Sequence, residues 1–118
     1  MKTVKKFSAA EQDLIEIGVY IAQDSPVNAD RFIDAIEREC QKLADSPFIL
    51  GSRCEGLHPD LRRHNFKRYA IVYRPIPDGI ELIGVFQGSR ELEAMFERLN
   101  ERVSAQSWLK RKTPPRPR

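Results

Sequence analysis

Two apolar stripes of helical period, one on each side of Ser25-Pro26, constrain this chain more than any other feature. Ala10, Leu14, Ile17 and Ile21 form the first. Ala29, Phe32, Ile33, Ile36, Cys40 and Leu43 form the second, with Asp30, Asp34, Glu37 and Lys42 on its opposite face. Ser25 suits an N-cap, and Pro26 suits the first helical position, where a missing N–H has no intrahelical partner to lose. Ser8-Ala9-Ala10-Glu11 has the form of a capping box. The pattern predicts helices over 9–24 and 26–45, separated by so few residues that they must fold back as an antiparallel hairpin. Gly18 falls inside the first helix, where it costs about 1 kcal/mol relative to Ala. Close approach of the second helix is the expected compensation.

The period changes after Ser46-Pro47. Residues 48–60, with Gly51, Gly56 and Pro59, read as a loop. Tyr69–Arg74 alternates as a strand, with Tyr69, Ile71 and Tyr73 on one face and Ala70, Val72 and Arg74 on the other. Pro75-Ile76-Pro77-Asp78-Gly79 reads as a turn. Ile80–Gln87 is the return strand, and its apolar character on both faces asks for a central position. Arg62–Phe66 reads as a preceding strand. Thr3–Phe7 is a further short strand, with Lys5 and Lys6 suited to an edge. Glu91–Ser104 carries Leu92, Met95, Phe96, Leu99 and Val103 at helical period. The expected fold is α+β: an antiparallel sheet of three to four strands, the helix hairpin on one face, and a C-terminal helix.

With 118 residues the chain has length for one modest core. Residues 1–104 read as a single domain and 105–118 as a basic, proline-rich tail with too little apolar content to pack. No apolar run reaches membrane-spanning length, and the first residues lack the apolar core of a signal peptide, so the cytoplasm is the default compartment. The net charge of +3 and the pI near 9.0 conceal an asymmetry. Residues 1–101 carry 14 Lys/Arg against 17 Asp/Glu, while 102–118 carry six cations and no acid. The high pI is therefore weak grounds for nucleic-acid binding by the folded body. Cys40 and Cys54 are the two cysteines, and joining them to His58 and His64 gives no zinc-site spacing. Cys40 lies on a helical apolar stripe, where free cysteine packs as a small hydrophobe. Neither a metal nor another cofactor is implied.

Residues 61–90 hold the candidate site. Arg62, Arg63, Lys67, Arg68 and Arg74 follow one another with no acid between Asp60 and Asp78. A fold does not need such a one-signed run, and it suggests an anionic partner.

The order of elements, and the residues that carry it, resemble the ParE/RelE toxin superfamily of type II toxin–antitoxin modules. The matching pieces span positions 7–90. They are Phe7-Ser8-Ala9-Ala10-Glu11-Gln12-Asp13-Leu14 with Ile17; Tyr20-Ile21-Ala22; Ser25-Pro26 with Ala29 and Phe32; Cys40-Gln41-Lys42-Leu43-Ala44 before Pro47 and Gly51; Pro59-Asp60-Leu61-Arg62; Arg68 to Arg74; and Gly79-Ile80-Glu81-Leu82 through Val85-Phe86-Gln87-Gly88-Ser89-Arg90. The long helix hairpin and the R-Y-x-I-x-Y-R strand look like the ParE branch. Gln87 departs from the family, which often has His before the final Gly-x-Arg. The resemblance implies a small cytoplasmic toxin neutralised by an antitoxin encoded beside it, with DNA gyrase as the ParE target and ribosome-bound mRNA as the RelE target. It implies nucleic-acid contact only through gyrase or antitoxin, and no membrane.

The residues favour the non-enzymatic branch. Metal-free RNA cleavage needs a base at the 2′-OH, an acid at the leaving oxygen and cations on the developing charge. Cations are plentiful, but neither His nor Tyr occurs after Tyr73. The expected target-binding surface is Arg62, Arg63, Lys67, Arg68, Arg74 and Arg90, with no catalytic residue. Under the ribonuclease alternative, His64, Tyr73, Arg74 and Arg90 are the catalytic candidates. A lone His64 is more often a surface residue than a base, and Tyr69 and Tyr73 suit the core with a hydroxyl at its rim. Arg74 and Arg90 are equally suited to bridging Glu81 or Asp78. A third reading is a degenerate toxin that only binds its antitoxin.

Overall fold

A computed structural model of the chain describes residues 2–48, 50–53, 60–87, 99 and 101–103. Its elements are β1 (Thr3–Lys6), α1 (Ser8–Ala22), α2 (Pro26–Asp45), β2 (Ser52–Arg53), β3 (Arg62–Phe66), β4 (Tyr69–Ile76) and β5 (Gly79–Gln87). The α+β class and the β3–β4–β5 antiparallel meander match the expectation. The sheet differs in having five strands, ordered β1-β5-β4-β3-β2, and in being mixed rather than antiparallel throughout. β1 pairs parallel to β5, from Thr3 opposite Gly79 to Lys6 opposite Leu82. The reason lies in β5. A strand apolar on both faces cannot stay an open edge, and β1 covers one side of it while β4 covers the other. Gly79 permits the approach: its φ is +150°, and a Cβ there would collide with the Thr3 carbonyl.

The two helices pack on this sheet as a hairpin. Ser25 caps α2 as expected, accepting the Asn28 amide at 3.2 Å. The capping box at Ser8 does not form. The helix begins at Ser8 itself, Phe7 takes the cap position without a side-chain bond, and the Glu11 amide donates to the Phe7 carbonyl at 3.0 Å. Phe7 wins that position because its ring is buried in the core, while its amide donates to Leu82 of β5 at 2.9 Å. The β4–β5 turn is also tighter than expected. Pro75 pairs with Ile80 inside the ladder, leaving Pro77 and Asp78 as the turn. β3 stops opposite Tyr73, so the missing N–H of Pro75 leaves no bond unmade on that side.

The core runs between hairpin and sheet. Ile36, Leu43, Leu61, Ile71, Tyr73, Ile80, Leu82 and Ile83 are fully buried. Each such aliphatic side chain contributes roughly 1.5–3 kcal/mol relative to exposure. Cys40 is buried among them, and burial, with the nearby Glu37 carboxylate adding to it, pushes its thiol up to about 12. Of the expected C-terminal helix, Leu99 and 101–103 are described and helical; Leu99 is fully buried and Val103 packs on the core. The rest of that helix, and the tail over 105–118, lie outside the described residues.

Candidate target-binding surface

The β3–β4 hairpin places the basic run. Lys67 and Arg68 make its two-residue turn, with Lys67 in the left-handed region at φ 54°. Both are exposed, and neither pairs with a carboxylate among the described residues. The Lys67 ammonium lies 5.6 Å from the ring centres of both Phe32 and Phe66, so the turn rests on an aromatic ledge that also includes Tyr69. Burial raises the Tyr69 hydroxyl above its ordinary range, which removes it further from acid–base work near neutral pH.

The other cations are committed to the fold to different degrees. Alternation along β3 turns Arg62, His64 and Phe66 toward α2 and the loop after it, and Arg63 and Asn65 the other way. Arg62 donates to the carbonyls of Phe48 and Gly51, and its guanidinium stands 5.5 Å from the Phe48 ring centre. Its Nε is buried without a partner. Arg63 donates to Asn65 at 3.0 Å. Arg74 forms an ion pair with Glu81, the residue directly opposite it in the ladder. The bridge that the sequence offered as a structural role for Arg74 is therefore present. Arg90 lies outside the described residues. Arg53 was not among the expected cations: β2 sets it exposed and opposite Arg62, adding charge at the sheet edge. A two-residue strand has too little pattern to betray itself in a sequence.

His64 and Tyr73 are both occupied. The His64 Nε2 lies 2.6 Å from the Glu39 carboxylate on α2, and its Nδ1 lies 3.2 Å from the Leu50 carbonyl. Both ring nitrogens face acceptors, so the ring makes both bonds only when it carries both protons. It clamps β3 to α2 rather than lying free on the surface. Tyr73 is fully buried and donates to the Pro47 carbonyl at 2.8 Å. Its hydroxyl tethers the loop that follows α2.

The fold and this basic hairpin can be set beside known proteins. The family model for the ParE toxin of type II toxin–antitoxin system, parDE, matches residues 7–92. The chain belongs to the ParE toxin family. The ParE fold is also what the structural comparison returns: a solved structure of the chromosomal ParDE TA system from P. aeruginosa matches with a TM-score of 0.63 at 17% identity, covering 75% of this chain and 98% of that one. No curated protein sequence matches the chain significantly. The family assignment makes the protein a type II toxin by descent and fixes the branch. No helix among the described residues is long and apolar enough to cross a membrane.

Proposed function

We propose that this ParE-family toxin acts in the cytoplasm by inhibiting DNA gyrase, blocking growth, and is held inactive by a cognate antitoxin. One observation carries the choice of mechanism. The two side chains that RNA cleavage would most need are engaged in holding the fold: His64 by Glu39 and Leu50, and Tyr73 by Pro47 from a fully buried position. Neither offers a free base or acid to a substrate. Lys67 and Arg68 stand exposed at a hairpin tip, with Arg63 and Arg53 farther along the same edge, and such a surface suits an acidic protein face or a DNA backbone held by the target enzyme. Arg62 and Arg74 support that surface from within the fold, and Arg90 remains part of the proposed site on sequence grounds alone.

The test has two arms. Purified toxin is added to gyrase with relaxed plasmid and scored for supercoiling and for cleaved-complex accumulation. The same protein is added to programmed ribosomes and scored for cuts in A-site mRNA. Loss of supercoiling with intact mRNA is the expected result. Cleaved mRNA with normal supercoiling would move the protein to the ribonuclease reading, and silence in both arms would leave a toxin that only binds its antitoxin.

A further inference from the structure

The face of the helix hairpin that points away from the core carries an open groove of about 600 Å³ between α1 and α2. One wall runs along α1 from Glu11 to Ala22, which is roughly 16 Å or three helical turns. Ile15 and Val19 stand on it, each 58% exposed, and Ile33 of α2 faces them from the groove lining. A surface of that apolarity and length fits a helix laid into it.

Charge narrows the occupant. At one end of the groove Lys6 pairs with Glu37 at 2.7 Å, and the two cancel. Glu11 on α1 and Asp30 on α2 also line the groove, and neither has an ion pair or side-chain hydrogen bond among the described residues. The uncompensated charge at the rim is therefore negative on both walls. A helix with acidic flanks would be repelled, and one with neutral flanks would leave both carboxylates unanswered.

Gly18 supplies a second, independent observation. A Cβ at this position would meet Ile33 at 3.7 and 3.8 Å, an ordinary contact, so packing of α1 on α2 does not demand glycine. The helix carries this poor helix former where alanine would fit. What the missing side chain does is keep the middle of the groove open.

We infer that this groove seats a helix of the antitoxin whose apolar stripe is flanked by Lys or Arg. The inference rests on the toxin–antitoxin reading above and assigns to it a surface and a partner chemistry. The apolar stripe covers Ile15, Val19 and Ile33, and the flanking cations answer Glu11 and Asp30.

The test uses the full-length toxin and its full-length cognate antitoxin. Affinity is measured by calorimetry for the wild type, for Gly18→Leu and for the double variant Glu11→Lys, Asp30→Lys. Both variants should bind at least about tenfold more weakly while keeping the wild-type circular dichroism spectrum, and wild-type affinity should fall as salt is raised. Replacing the flanking cations of the antitoxin helix by Glu should restore binding to the double variant but not to Gly18→Leu. Undiminished affinity in both variants would overturn the inference while leaving the toxin–antitoxin reading intact. So would self-association of the toxin alone that Gly18→Leu abolishes, because the groove would then belong to a second copy. A wild-type toxin that retains no antitoxin at all would overturn both.

Discussion

The Asp13 carboxylate on α1 accepts both arms of the Arg102 guanidinium, at 2.9 and 3.1 Å. The pair caps a bare stretch of sheet edge. β1 ends opposite Leu82, so beyond that point β5 has no strand on this side. Asp13 accepts the Val85 amide at 3.1 Å, and Arg102 donates to the Ile83 carbonyl at 3.1 Å. Ile83 is the extra residue of a bulge, since Val72 pairs with Gly84 and Tyr73 with Leu82. The guanidinium also lies 5.0 Å from the Phe86 ring centre, in space that exists because residue 84 is glycine.

Both side chains are largely buried, so removing either one strands the other. Asp13→Ala and Arg102→Ala should each cost about 3 kcal/mol, and the double variant should cost much less than their sum. Urea unfolding of the four proteins gives the coupling. Additive losses would mean that the two residues act separately. Gly84→Ala should destabilise by a similar amount, because its Cβ would overlap Arg102 and Phe86.

This clasp marks where sequence reading stops. The helix hairpin, the meander and the buried roles of Cys40 and Tyr73 follow from local periodicity, which a single segment carries. Arg102 is one of six cations in the last 17 residues, and nothing local separates it from Lys110 or Arg111. Its role depends on Asp13, 89 positions away, and on a bulge that no residue pattern announces. The same holds for Glu39, which meets His64 across 25 positions. β1 was legible as a strand, but its parallel docking on β5 depends on Gly79 admitting a backbone from the far end of the chain. The basic run was legible as charge. Which members are free and which hold the fold was not, because that depends on partners in the loop after α2.

Cys40 gives a pH prediction with a definite sign. Its thiol is raised from 9.0 to about 12, mainly by burial. Between those values the unfolded chain has lost a proton that the native chain keeps, so Cys40 stabilises the fold fully below pH 9.0 and progressively less as pH rises toward about 12. The contribution should decline by up to about 1.4 kcal/mol per pH unit in that window. Comparing urea midpoints of the wild type and Cys40→Val from pH 8 to 11 isolates it. Parallel curves would show that the thiol does not titrate with folding.

His64 and Tyr73 separate a structural from a catalytic role. His64→Ala leaves the half-buried Glu39 carboxylate and the Leu50 carbonyl without their partner and should cost roughly 1–3 kcal/mol. Tyr73→Phe removes one hydrogen bond to Pro47 and should cost about 1 kcal/mol. Growth inhibition on induction should persist in both at a temperature where both stay folded. Loss of toxicity in a Tyr73→Phe protein of unchanged stability would point to chemistry at the hydroxyl.

The basic hairpin predicts a split between binding and stability. Lys67 and Arg68 are exposed and unpaired with any described carboxylate, so Lys67→Asn with Arg68→Glu should leave the urea midpoint nearly unchanged. Asn also tolerates the left-handed backbone at position 67. Gyrase inhibition should weaken at least about tenfold, and its salt dependence should become shallower, since fewer charges steer the encounter. Arg74→Glu should behave differently. It sets a carboxylate directly opposite Glu81 in the ladder, where like charges repel, so stability should fall by about 1–3 kcal/mol before binding is considered. The companion Glu81→Arg in the same chain should recover stability by reversing the pair. If inhibition returns together with stability, Arg74 serves the sheet. If stability returns and inhibition does not, the guanidinium at position 74 itself meets the target. Supercoiling assays run beside urea denaturation for the three variants distinguish these outcomes. Full inhibition by the Lys67→Asn, Arg68→Glu protein would remove the hairpin tip from the binding surface.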